Sequence, residues 1–496
     1  MSVDKVLGNY INGKFILGQG DRVFYSRNPS KHFQVIGEIR ETPEHVEDAI
    51  QAAHSALPQW RSLGLDGRAQ ALAKVAELVE FHQQKIAKTI SLEMGKSYAE
   101  SLVEARSIQG KITTTIKNLN HMLPPAVEGA PGEQRFRPLG VTTVIGPFNF
   151  PIHLLNTHVI PALLTGNTVI IKPSEVTPLC GQRYAELFHE AGIPAGVFNM
   201  VQGKGDIGAQ LTSHPKVNCV IFTGSYATGR HIRQATFDQP FKKVCLELGG
   251  KNPAVVLDDA DLDQATREIL LGALLTSGQR CTATSRVIVT SGVADILKRK
   301  LMDALLKIRP SNPFDKNCFI GPLASEAAQE RFFALLQQGR SEGAEPLIES
   351  VPLAGGAFVT PSMYEVNGDE AYLNEELFGP HISFQVVPDT VAALRCASQN
   401  QFGLSASLFT ADESNFENFY NEVPAGVLNL NRSTNGASGL LPFGGVGMSG
   451  NWHAGGSEGA RLSTYPVAMM RLPLHHITEN IPLENQLKRN HKTSDS

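Results

Sequence analysis

The chain has 496 residues, with 44 lysines and arginines against 48 aspartates and glutamates, so its formal net charge is −4 with histidine neutral. This near balance offers no basic surface for nucleic acid, and a composition of 42% hydrophobic and 19% charged residues excludes a disordered or fibrous chain. At about 150 residues per domain, the length predicts roughly three structural units with a large buried core.

The cysteines, the N-terminus and one uncharged stretch indicate metal content, cellular location and membrane association. The six cysteines are spread singly, without a Cys-x-x-Cys pair or a histidine at zinc-ligand spacing, so we expect no bound metal. Residues Met1–Lys5 lack the basic and apolar regions of a signal peptide, which favours a cytoplasmic protein with reduced thiols. The stretch 140–171 has no charged residue, but its prolines and polar side chains favour a buried strand, turn and helix over a membrane span. We therefore expect no membrane partner.

The first predicted elements are a hairpin and a helical layer. Asn12-Gly13, in the middle of Tyr10–Phe15, is the dipeptide most typical of a tight hairpin. Thr42 is a candidate N-cap with Pro43 at the first helical position. From there to about Lys117, apolar residues at three- and four-residue steps predict helices.

Short β-branched runs alternate with helical stretches after residue 140, which predicts parallel sheets joined by right-handed crossovers. The first series of predicted strands is Val141–Ile145, Thr168–Ile171, Val197–Val201, Val217–Phe222 and Ala254–Leu257. The second series is strand Ser285–Val289, helix Ala294–Ile308, and strands His381–Val387 and Gly426–Leu430. The fold class is therefore α/β with two lobes, and the polar segment 475–496 is predicted to be a tail.

Three residues are candidates for catalysis, and each has an ordinary alternative. Cys281 lies among small and polar residues, which leaves a nucleophile and an inert thiol equally open, whereas Cys219 in an apolar run is expected to be structural. Glu247 lies between leucines before a double glycine; a buried carboxylate would suit a general base, but these residues alone favour an ordinary surface glutamate. Asn149, among aromatic residues and prolines, is typical of a turn and also of a rigid oxyanion donor.

Glycine turns after successive predicted strands indicate a nucleotide site. Gly203–Gly208 has the spacing G-x-G-x-x-G but lacks the acidic residue about 20 positions later that would bind ribose, so alone it is a weak signal. Phe222–Gly229 has the same order of strand, glycine turn and helix, which would put a pyrophosphate at a helix N-terminus. Lys172–Glu175 adds a cation and a carboxylate for ribose hydroxyls. Because strand-end loops bind ligands in open parallel sheets, the three together favour a bound cofactor.

From about Tyr10 to Leu474 the sequence resembles the NAD(P)-dependent aldehyde dehydrogenase superfamily. The motifs that carry the resemblance occur in family order: Pro147–Pro151, Lys172–Glu175, Phe222–Ser225 with Gly229, Leu246–Gly250, Gly278–Cys281, Glu376–Pro380 and Pro442–Gly445. The resemblance implies an aldehyde dehydrogenase-like fold with a dinucleotide-binding domain (1–117 and 138–246), a catalytic domain (247–445) and a small β oligomerisation arm (118–137 and 446–474). It also implies a homodimer or a dimer of dimers.

The same resemblance implies Cys281 as the nucleophile, Glu247 as the general base, and Asn149 with the main-chain N–H of Cys281 as the oxyanion donors. The reaction is then NAD-dependent oxidation of an aldehyde to a carboxylate through a cysteine thioester that water hydrolyses. The residues implied in cofactor binding are Lys172, Ser174, Glu175, Gly203, Gly224, Ser225, Gly229, Leu248, Glu376 and Phe378. Among them Glu175 would repel a 2′-phosphate, which favours NAD over NADP.

Within the superfamily the sequence is similar to the branch that oxidises N-succinylglutamate 5-semialdehyde in arginine breakdown. The similar positions are His153, Asn156, His158, Gly278–Thr282 and Asn429–Ser438. The positions that depart from the pattern are Ile152, Leu155, Thr157 and Lys251. Because that substrate has two carboxylates, Arg432, Ser433 and Ser438 are candidate contacts, although a solvated Arg432 is slightly favoured. Another semialdehyde or a broad range of aldehydes stays open, as does a catalytically silent binding or structural relative.

Overall fold

The computed structural model describes residues 5–126, 128–451, 455–472 and 474. Its α-helices, in chain order, are α1 Glu44–Ser62, α2 Gly64–Met94, α3 Tyr98–Met122, α4 His153–Leu164, α5 Pro178–Glu190, α6 Gly205–Ser213, α7 Tyr226–Ala235, α8 Leu262–Leu274, α9 Ala294–Leu305, α10 Glu326–Ser341, α11 Thr390–Ser398, α12 Ser414–Glu422 and α13 Gly459–Leu462. Short 3-10 turns cover Leu275–Gly278 and Ala371–Asn374.

The strands are β1 Asn9–Ile11, β2 Lys14–Ile16, β3 Val23–Asn28, β4 Gln34–Arg40, β5 Glu133–Pro138, β6 Val141–Ile145, β7 Thr168–Lys172, β8 Phe198–Met200, β9 Cys219–Thr223, β10 Lys243–Glu247, β11 Asn252–Val256, β12 Thr284–Thr290, β13 Glu345–Ile348, β14 Pro352–Leu353, β15 Phe358–Val359, β16 Ser362–Glu365, β17 His381–Val387, β18 Phe402–Gly403, β19 Ser405–Phe409, β20 Val427–Leu430, β21 Pro442–Phe443, β22 Val446–Gly447, β23 Gly455–Gly456 and β24 Thr464–Met469.

Two seven-stranded sheets form the two α/β lobes that the alternating pattern predicts, and this prediction is confirmed. The first sheet has the order β10-β9-β6-β7-β8-β1-β2. Strands β6 to β10 are parallel, and the hairpin β1-β2 is antiparallel at one edge. The second has the order β13-β16-β17-β12-β11-β19-β20 and is parallel except for β13. In each sheet the parallel strands end along one edge, where open α/β sheets bind ligands.

The uncharged stretch 140–171 is the centre of the first lobe. It forms β6, α4 and most of β7, and the apolar side chains of all three elements are almost entirely buried. Strands buried on both faces read as continuous apolar runs, which is why this segment lacks the alternation of an exposed strand. No helix in the described part of the chain is apolar over a length that would cross a membrane.

The hairpin prediction is also confirmed, because Asn12 and Gly13 have φ values of 49° and 80° and join β1 to β2. The N-cap prediction at Thr42 is wrong. Helix α1 is capped by Pro43 without a side-chain hydrogen bond, and the Thr42 hydroxyl instead accepts from the backbone N–H of Gln19 at 2.9 Å. A threonine side chain that stabilises a neighbouring loop is no longer available to the helix.

The predicted β arm differs from the structure at its start. Residues 118–122 complete α3, with a kink at Asn118, and the first arm strand is β5, which pairs antiparallel with β24 along Thr464–Met469. The helix continues because Leu119 and Met122 bury their side chains in the core of the first lobe. The predicted tail 475–496 lies outside the described residues.

Asn167 joins the first lobe to the C-terminal segment. Its Oδ1 accepts from Gly140 N at 2.9 Å, and its Nδ2 donates at 3.0 Å to the carbonyls of Ala162 and Ser463 and to the Thr165 hydroxyl. The side chain is completely buried.

Asn167→Ala should lower the free energy of unfolding by about 2 to 4 kcal/mol, because it leaves several buried polar groups without partners. Urea unfolding followed by fluorescence measures the loss. Asn421→Ala is the matched control, since its amide makes one local bond to Glu417 on an exposed helix and should cost less than about 0.5 kcal/mol. Equal midpoints for the two variants would contradict the role of Asn167.

Candidate active site

The loop that carries Cys281 begins with a strained backbone. Thr276 and Ser277 have φ values of 57° and 56°, and Gly278 continues the left-handed run at 73°. A Cβ at Gly278 would lie 2.2 Å from the carbonyl oxygen of Gly379, so only glycine fits there. Left-handed residues other than glycine persist only where their surroundings hold them, which makes this loop a preorganised one.

Glu100 on α3 holds that loop. Its carboxylate accepts from the Thr276 backbone N–H at 3.0 Å, from the Thr276 hydroxyl at 2.9 Å, and from the Arg280 guanidinium at 2.7 Å. Ser277 adds a bond from its hydroxyl to the Gly321 carbonyl at 2.9 Å. Sequence reasoning missed Glu100, because nothing in a helical sequence shows which distant loop a glutamate reaches.

Asn252, at the start of β11, fixes the carbonyl side of the same loop. Its Nδ2 donates to the carbonyls of Cys281 at 2.8 Å and Ala283 at 2.9 Å, and its Oδ1 accepts from Ser405 N at 3.1 Å. This residue was missed too, although an asparagine at the start of an apolar strand is a signal that could have found it. Glu100 therefore holds the start of the Cys281 loop, and Asn252 holds its carbonyl groups.

Asn149 lies against the Cys281 loop from the first lobe. It is 3% exposed, and its Nδ2 donates to the carbonyl of Gln279 at 2.9 Å while its Oδ1 accepts from Phe150 N at 3.1 Å. One proton of the Nδ2 amide is committed to Gln279, which leaves the second for another acceptor. The amide is thus rigid and has one donor to spare.

A buried ion pair supports the turn that follows Asn149. Glu104 and Lys96 are both fully buried and 2.7 Å apart. The other Glu104 oxygen accepts from the backbone N–H groups of Ile152 at 3.3 Å and His153 at 3.2 Å, at the N-terminus of α4. A carboxylate is favourable at a helix N-terminus, so Glu104 fixes where α4 begins.

Glu247 is a buried carboxylate beside the Cys281 thiol. It is 1% exposed, and neither of its oxygens has a well-formed hydrogen bond within the described residues. Burial raises its pKa to about 7, although the nearby Cys281 and Thr223 side chains oppose that rise. The expectation of a surface glutamate, drawn from its neighbours alone, is wrong because β10 ends inside the protein.

Cys281 is half-buried, and its pKa is raised by burial first and by the Glu247 carboxylate second. Both causes disfavour the Cys281 thiolate when no ligand is bound, although the Cys281 side chain itself lowers the pKa of Glu247. By contrast Cys219 is completely buried in the core of the first lobe. A proton that leaves the Cys281 thiol has a buried carboxylate next to it as its acceptor.

Glu376 approaches the same region from the second lobe. Its Oε1 accepts from Gly250 N at 3.0 Å, and a Cβ on Gly249 would lie 2.3 Å from its Oε2, so the approach requires a glycine. Burial raises the pKa of Glu376 to about 7. Phe378, with φ of 53°, packs edge-on against Phe148 with ring centroids 5.7 Å apart. Glu376 and Phe378 are therefore beside the Asn149 and Glu247 segments.

The other predicted cofactor residues lie along the strand ends of the first sheet. The Lys172 ammonium, at the end of β7, donates to Glu175 at 3.2 Å and to the Pro173 carbonyl at 3.0 Å, and burial lowers its pKa. The Ser174 hydroxyl accepts from Val176 N at 3.3 Å, and Gly203 follows β8. These positions share one edge because β7, β8 and β9 are parallel and close in the sheet.

Helix α7 begins at the same edge. Ser225 caps it by accepting from Thr228 N at 3.3 Å, and the backbone of Gly224 donates to the Glu247 carbonyl at 3.0 Å. A Cβ on Gly229 would lie 2.8 Å from Leu248, so the glycine lets α7 pack on that buried leucine. The helix N-terminus is exposed between the strand ends and the site, where it offers N–H groups to an anion.

The structure thus brings Asn149, Glu247, Cys281 and Glu376 together between the lobes and arranges the remaining cofactor positions along the neighbouring strand ends. Among the predicted substrate contacts, Ser433 is buried and its hydroxyl accepts from Asn435 N at 3.0 Å, whereas Arg432 and Ser438 are exposed. A cysteine thiol beside a buried carboxylate, next to a sheet edge of the kind that binds dinucleotides, is the arrangement expected of a cofactor-dependent oxidoreductase.

Comparison with known proteins identifies the class more closely. A sequence model of the aldehyde dehydrogenase family matches residues 15–466, and the chain belongs to this family. Membership indicates an NAD(P)-dependent enzyme. The residues that carry the resemblance in the sequence are those that the fold places around Cys281 and along the first sheet.

Individual relatives agree with this assignment. The chain is 37% identical over 468 residues to N-succinylglutamate 5-semialdehyde dehydrogenase of Vibrio cholerae serotype O1, which covers 93% of this chain and 96% of the relative. An NAD-dependent aldehyde dehydrogenase from Sinorhizobium meliloti has a TM-score of 0.92 and 30% identity, covering 97% of each chain. Indole-3-acetaldehyde dehydrogenase of P. syringae, determined in complex with NAD+, has a TM-score of 0.89 and 28% identity, covering 94% of this chain and 96% of that one.

Glu247→Gln should speed the alkylation of Cys281 by iodoacetamide at pH 7.5. Removing the carboxylate charge lowers the thiol pKa, and about one pKa unit corresponds to roughly tenfold more thiolate. Rates of alkylation across pH 6.5–9.5, with the modified residue identified by mass spectrometry, measure this. Cys281→Ser reports the background at the other cysteines, and slower alkylation in Glu247→Gln would contradict the coupling.

Proposed function

We propose that the protein oxidises N-succinyl-L-glutamate 5-semialdehyde to N-succinyl-L-glutamate with NAD, through a thioester on Cys281. The observation that carries the chemistry is the buried Glu247 carboxylate beside that thiol. A carboxylate with a pKa of about 7 can accept a proton from the thiol and later from water. The substrate assignment is supported by the relative named for that activity, which is similar along nearly the whole chain.

The first step uses the thiol and its neighbours. Glu247 accepts the Cys281 proton as the thiolate forms a bond to the aldehyde carbon, and the carbonyl oxygen becomes an oxyanion. The free proton of the Asn149 amide and the backbone N–H of Cys281 stabilise that oxyanion. A donor of this kind typically contributes about 3 to 4 kcal/mol to transition-state stabilisation. The bond of Asn149 to Gln279 and the Asn252 bonds keep both donors in place.

The first lobe fits a dinucleotide. Lys172 and Glu175 would hold one ribose, Ser225 and the N-terminus of α7 would bind the pyrophosphate, and Glu376 from the second lobe would hold the other ribose. Ser174, Gly203, Gly224, Gly229, Leu248 and Phe378 shape the same surface. When bound, NAD supplies the acceptor for the hydride that leaves the tetrahedral carbon as the thioester forms. The support for this arrangement is the common edge of the parallel strands and the close approach of Glu376 to Gly249.

The second step is hydrolysis. Glu247 takes a proton from water, which attacks the thioester carbon, and the Cys281 thiolate leaves as the acid is released. Since only the deprotonated carboxylate can act, kcat should rise with pH through about 7 wherever hydrolysis limits the rate. A reduced Cys281 is needed in every cycle, which fits a cytoplasmic location.

Glu247→Gln should still form about one equivalent of NADH per active site in a burst, because a thiol freed of the neighbouring carboxylate charge can release its proton to solvent. It should then turn over about 100- to 10,000-fold more slowly, because the amide cannot activate water. Stopped-flow absorbance at 340 nm with the purified enzyme, NAD and semialdehyde measures both phases. Cys281→Ser is the control that should lose the burst as well. A burst that falls in parallel with the steady-state rate would overturn the role of Glu247.

Glu175 carries the proposed preference for NAD. Its carboxylate is 3.2 Å from the Lys172 ammonium and its side chain is 45% exposed, so it can face the ribose hydroxyls and repel a 2′-phosphate. Glu175→Gln should raise kcat/KM for NADP about tenfold relative to that for NAD. Steady-state rates with each cofactor measure the ratio, and Glu190→Gln, which changes another exposed glutamate that contacts a histidine ring, is the control. An unchanged ratio of kcat/KM for the two cofactors would contradict the role of Glu175 in the preference for NAD.

The proposal also assigns a role to each domain and an oligomeric state to the protein. Residues 1–122 and 138–246 bind the dinucleotide, 247–445 carry the catalytic chemistry, and 123–137 with 446–474 form the oligomerisation arm. The arm strands β5 and β24 make a two-stranded ribbon with open edges. Such a ribbon is marginal by itself and its edges favour pairing with another chain, which supports a homodimer or a dimer of dimers.

A further inference from the structure

Lys111, on α3, is a buried lysine without a counter-charge. Its side chain is 7% exposed, and its ammonium donates to the Gly456 carbonyl at 3.3 Å. No carboxylate forms an ion pair with it in the part of the chain that the structure describes. Burying an ammonium is costly unless it is paired, so a lysine with one long bond to a carbonyl is poorly compensated.

Other unsatisfied polar atoms surround Lys111. Thr115, one helical turn further along α3, is completely buried and its hydroxyl has no partner among the described residues. His158 on α4 is 4% exposed, and its Nδ1 also has no described partner. Burial, with the charge of Lys111 next, lowers the pKa of His158 to about 3, so it is neutral. The cluster therefore has a net positive charge and spare hydrogen-bonding capacity.

A partly exposed stripe of α4 leads from Asn149 towards this cluster. His153 lies one turn after Asn149, and its Nδ1 is 2.9 Å from the hydroxyl of Ser107, which is one turn before Lys111 on α3. Thr157 lies one turn further, where its methyl would be 3.4 Å from a Cβ on Gly455. On its other side, a Cβ on Gly455 would lie 3.7 Å from the ring of His158, so this turn packs against α4 next to the cluster.

A loop from the second lobe closes the other side. Thr282, next to Cys281, donates from its hydroxyl to the Asn435 side chain at 2.8 Å. The chain then runs through Ser438 to Gly439, where a Cβ would lie 3.9 Å from the Lys111 ammonium. Lys111 is therefore linked to the Cys281 region by two sets of contacts, through α3 and α4 on one side and through this loop on the other.

We propose that the Lys111 ammonium binds a carboxylate of the substrate, at the end of its acyl chain remote from the aldehyde. The inference rests on the proposed function, because it assumes an acidic semialdehyde, and it assigns the anion-binding role to a buried lysine instead of to the exposed Arg432. A carboxylate there would supply the counter-charge that the fold does not provide, through a charge-assisted hydrogen bond.

Lys111→Met tests the proposal with two aldehydes, N-succinyl-L-glutamate 5-semialdehyde and the neutral pentanal. Loss of a hydrogen bond to a charged group should lower kcat/KM for the acidic substrate about 10- to 100-fold, mainly through KM, and leave pentanal within about twofold. N-succinyl-L-glutamate should also slow the alkylation of Cys281 in the wild type and not in the variant, which reports binding without turnover. Equal losses on both aldehydes, or no loss on either, would overturn the assignment.

A second pair of variants leaves Lys111 in place. Gly439→Asp puts a competing carboxylate beside the ammonium, and Gly439→Asn is its uncharged counterpart of the same shape. The aspartate should raise KM for the acidic substrate at least tenfold, while the asparagine should not, and pentanal should distinguish neither. Identical effects of the two variants would contradict a role for the Lys111 charge.

The wild-type enzyme separates this inference from the function on which it rests. A wild type that prefers pentanal to the acidic semialdehyde contradicts the proposed substrate and the Lys111 site together. A wild-type preference for the acidic substrate that survives both Lys111→Met and Gly439→Asp keeps the proposed function and overturns the Lys111 site alone.

Discussion

The structure depends on the burial of the Glu247 carboxylate next to the Cys281 thiol. Each group is removed from water, which raises the pKa of both; the Glu247 carboxylate raises the pKa of Cys281 further, whereas the Cys281 side chain opposes the rise at Glu247. This state is costly, because the carboxylate has no well-formed hydrogen bond within the described residues to offset its desolvation. It is also the state that the proposed chemistry needs, since a base with a pKa near 7 can both accept and release a proton at working pH.

The two lobes must keep fixed positions relative to each other for Glu247 and Cys281 to lie side by side. Glu247 ends a strand of the first sheet, whereas Cys281 precedes a strand of the second. Glu100 from the helical layer and Asn252 from the second sheet both bind the Cys281 loop, and the loop stores left-handed strain at Thr276 and Ser277. Strain of this kind persists only where surrounding contacts over-determine it, so the loop geometry is a consequence of the whole arrangement of the lobes.

The sequence predicted most of the regular structure, because strands such as β6 and β7 are short β-branched runs and the hairpin has its own dipeptide signal. It failed where a side chain serves a distant partner. Thr42 bonds to a loop instead of its helix, and Glu247 reads as a surface residue until the fold buries it. The family motifs identified Cys281 and Asn149, but Glu100 lies in an ordinary amphipathic helix, and no local pattern reports a contact across 176 positions of sequence.

The charged side chains around the site differ in sign between the Cys281 end and the Lys111 end. Glu247 and Glu376 lie at the Cys281 end, while Lys111 lies on α3 beside Gly439, in the loop that Thr282 contacts. His153 and His158 between them are neutral, because burial holds the pKa of His153 at about 4 and that of His158 at about 3. An acidic semialdehyde that entered carboxylate first towards Cys281 would meet two acidic side chains, whereas the reverse orientation gives its carboxylate a cation. The electrostatic field inside the protein would thus orient the substrate with its uncharged aldehyde next to the thiol, which is the orientation that the proposed reaction requires.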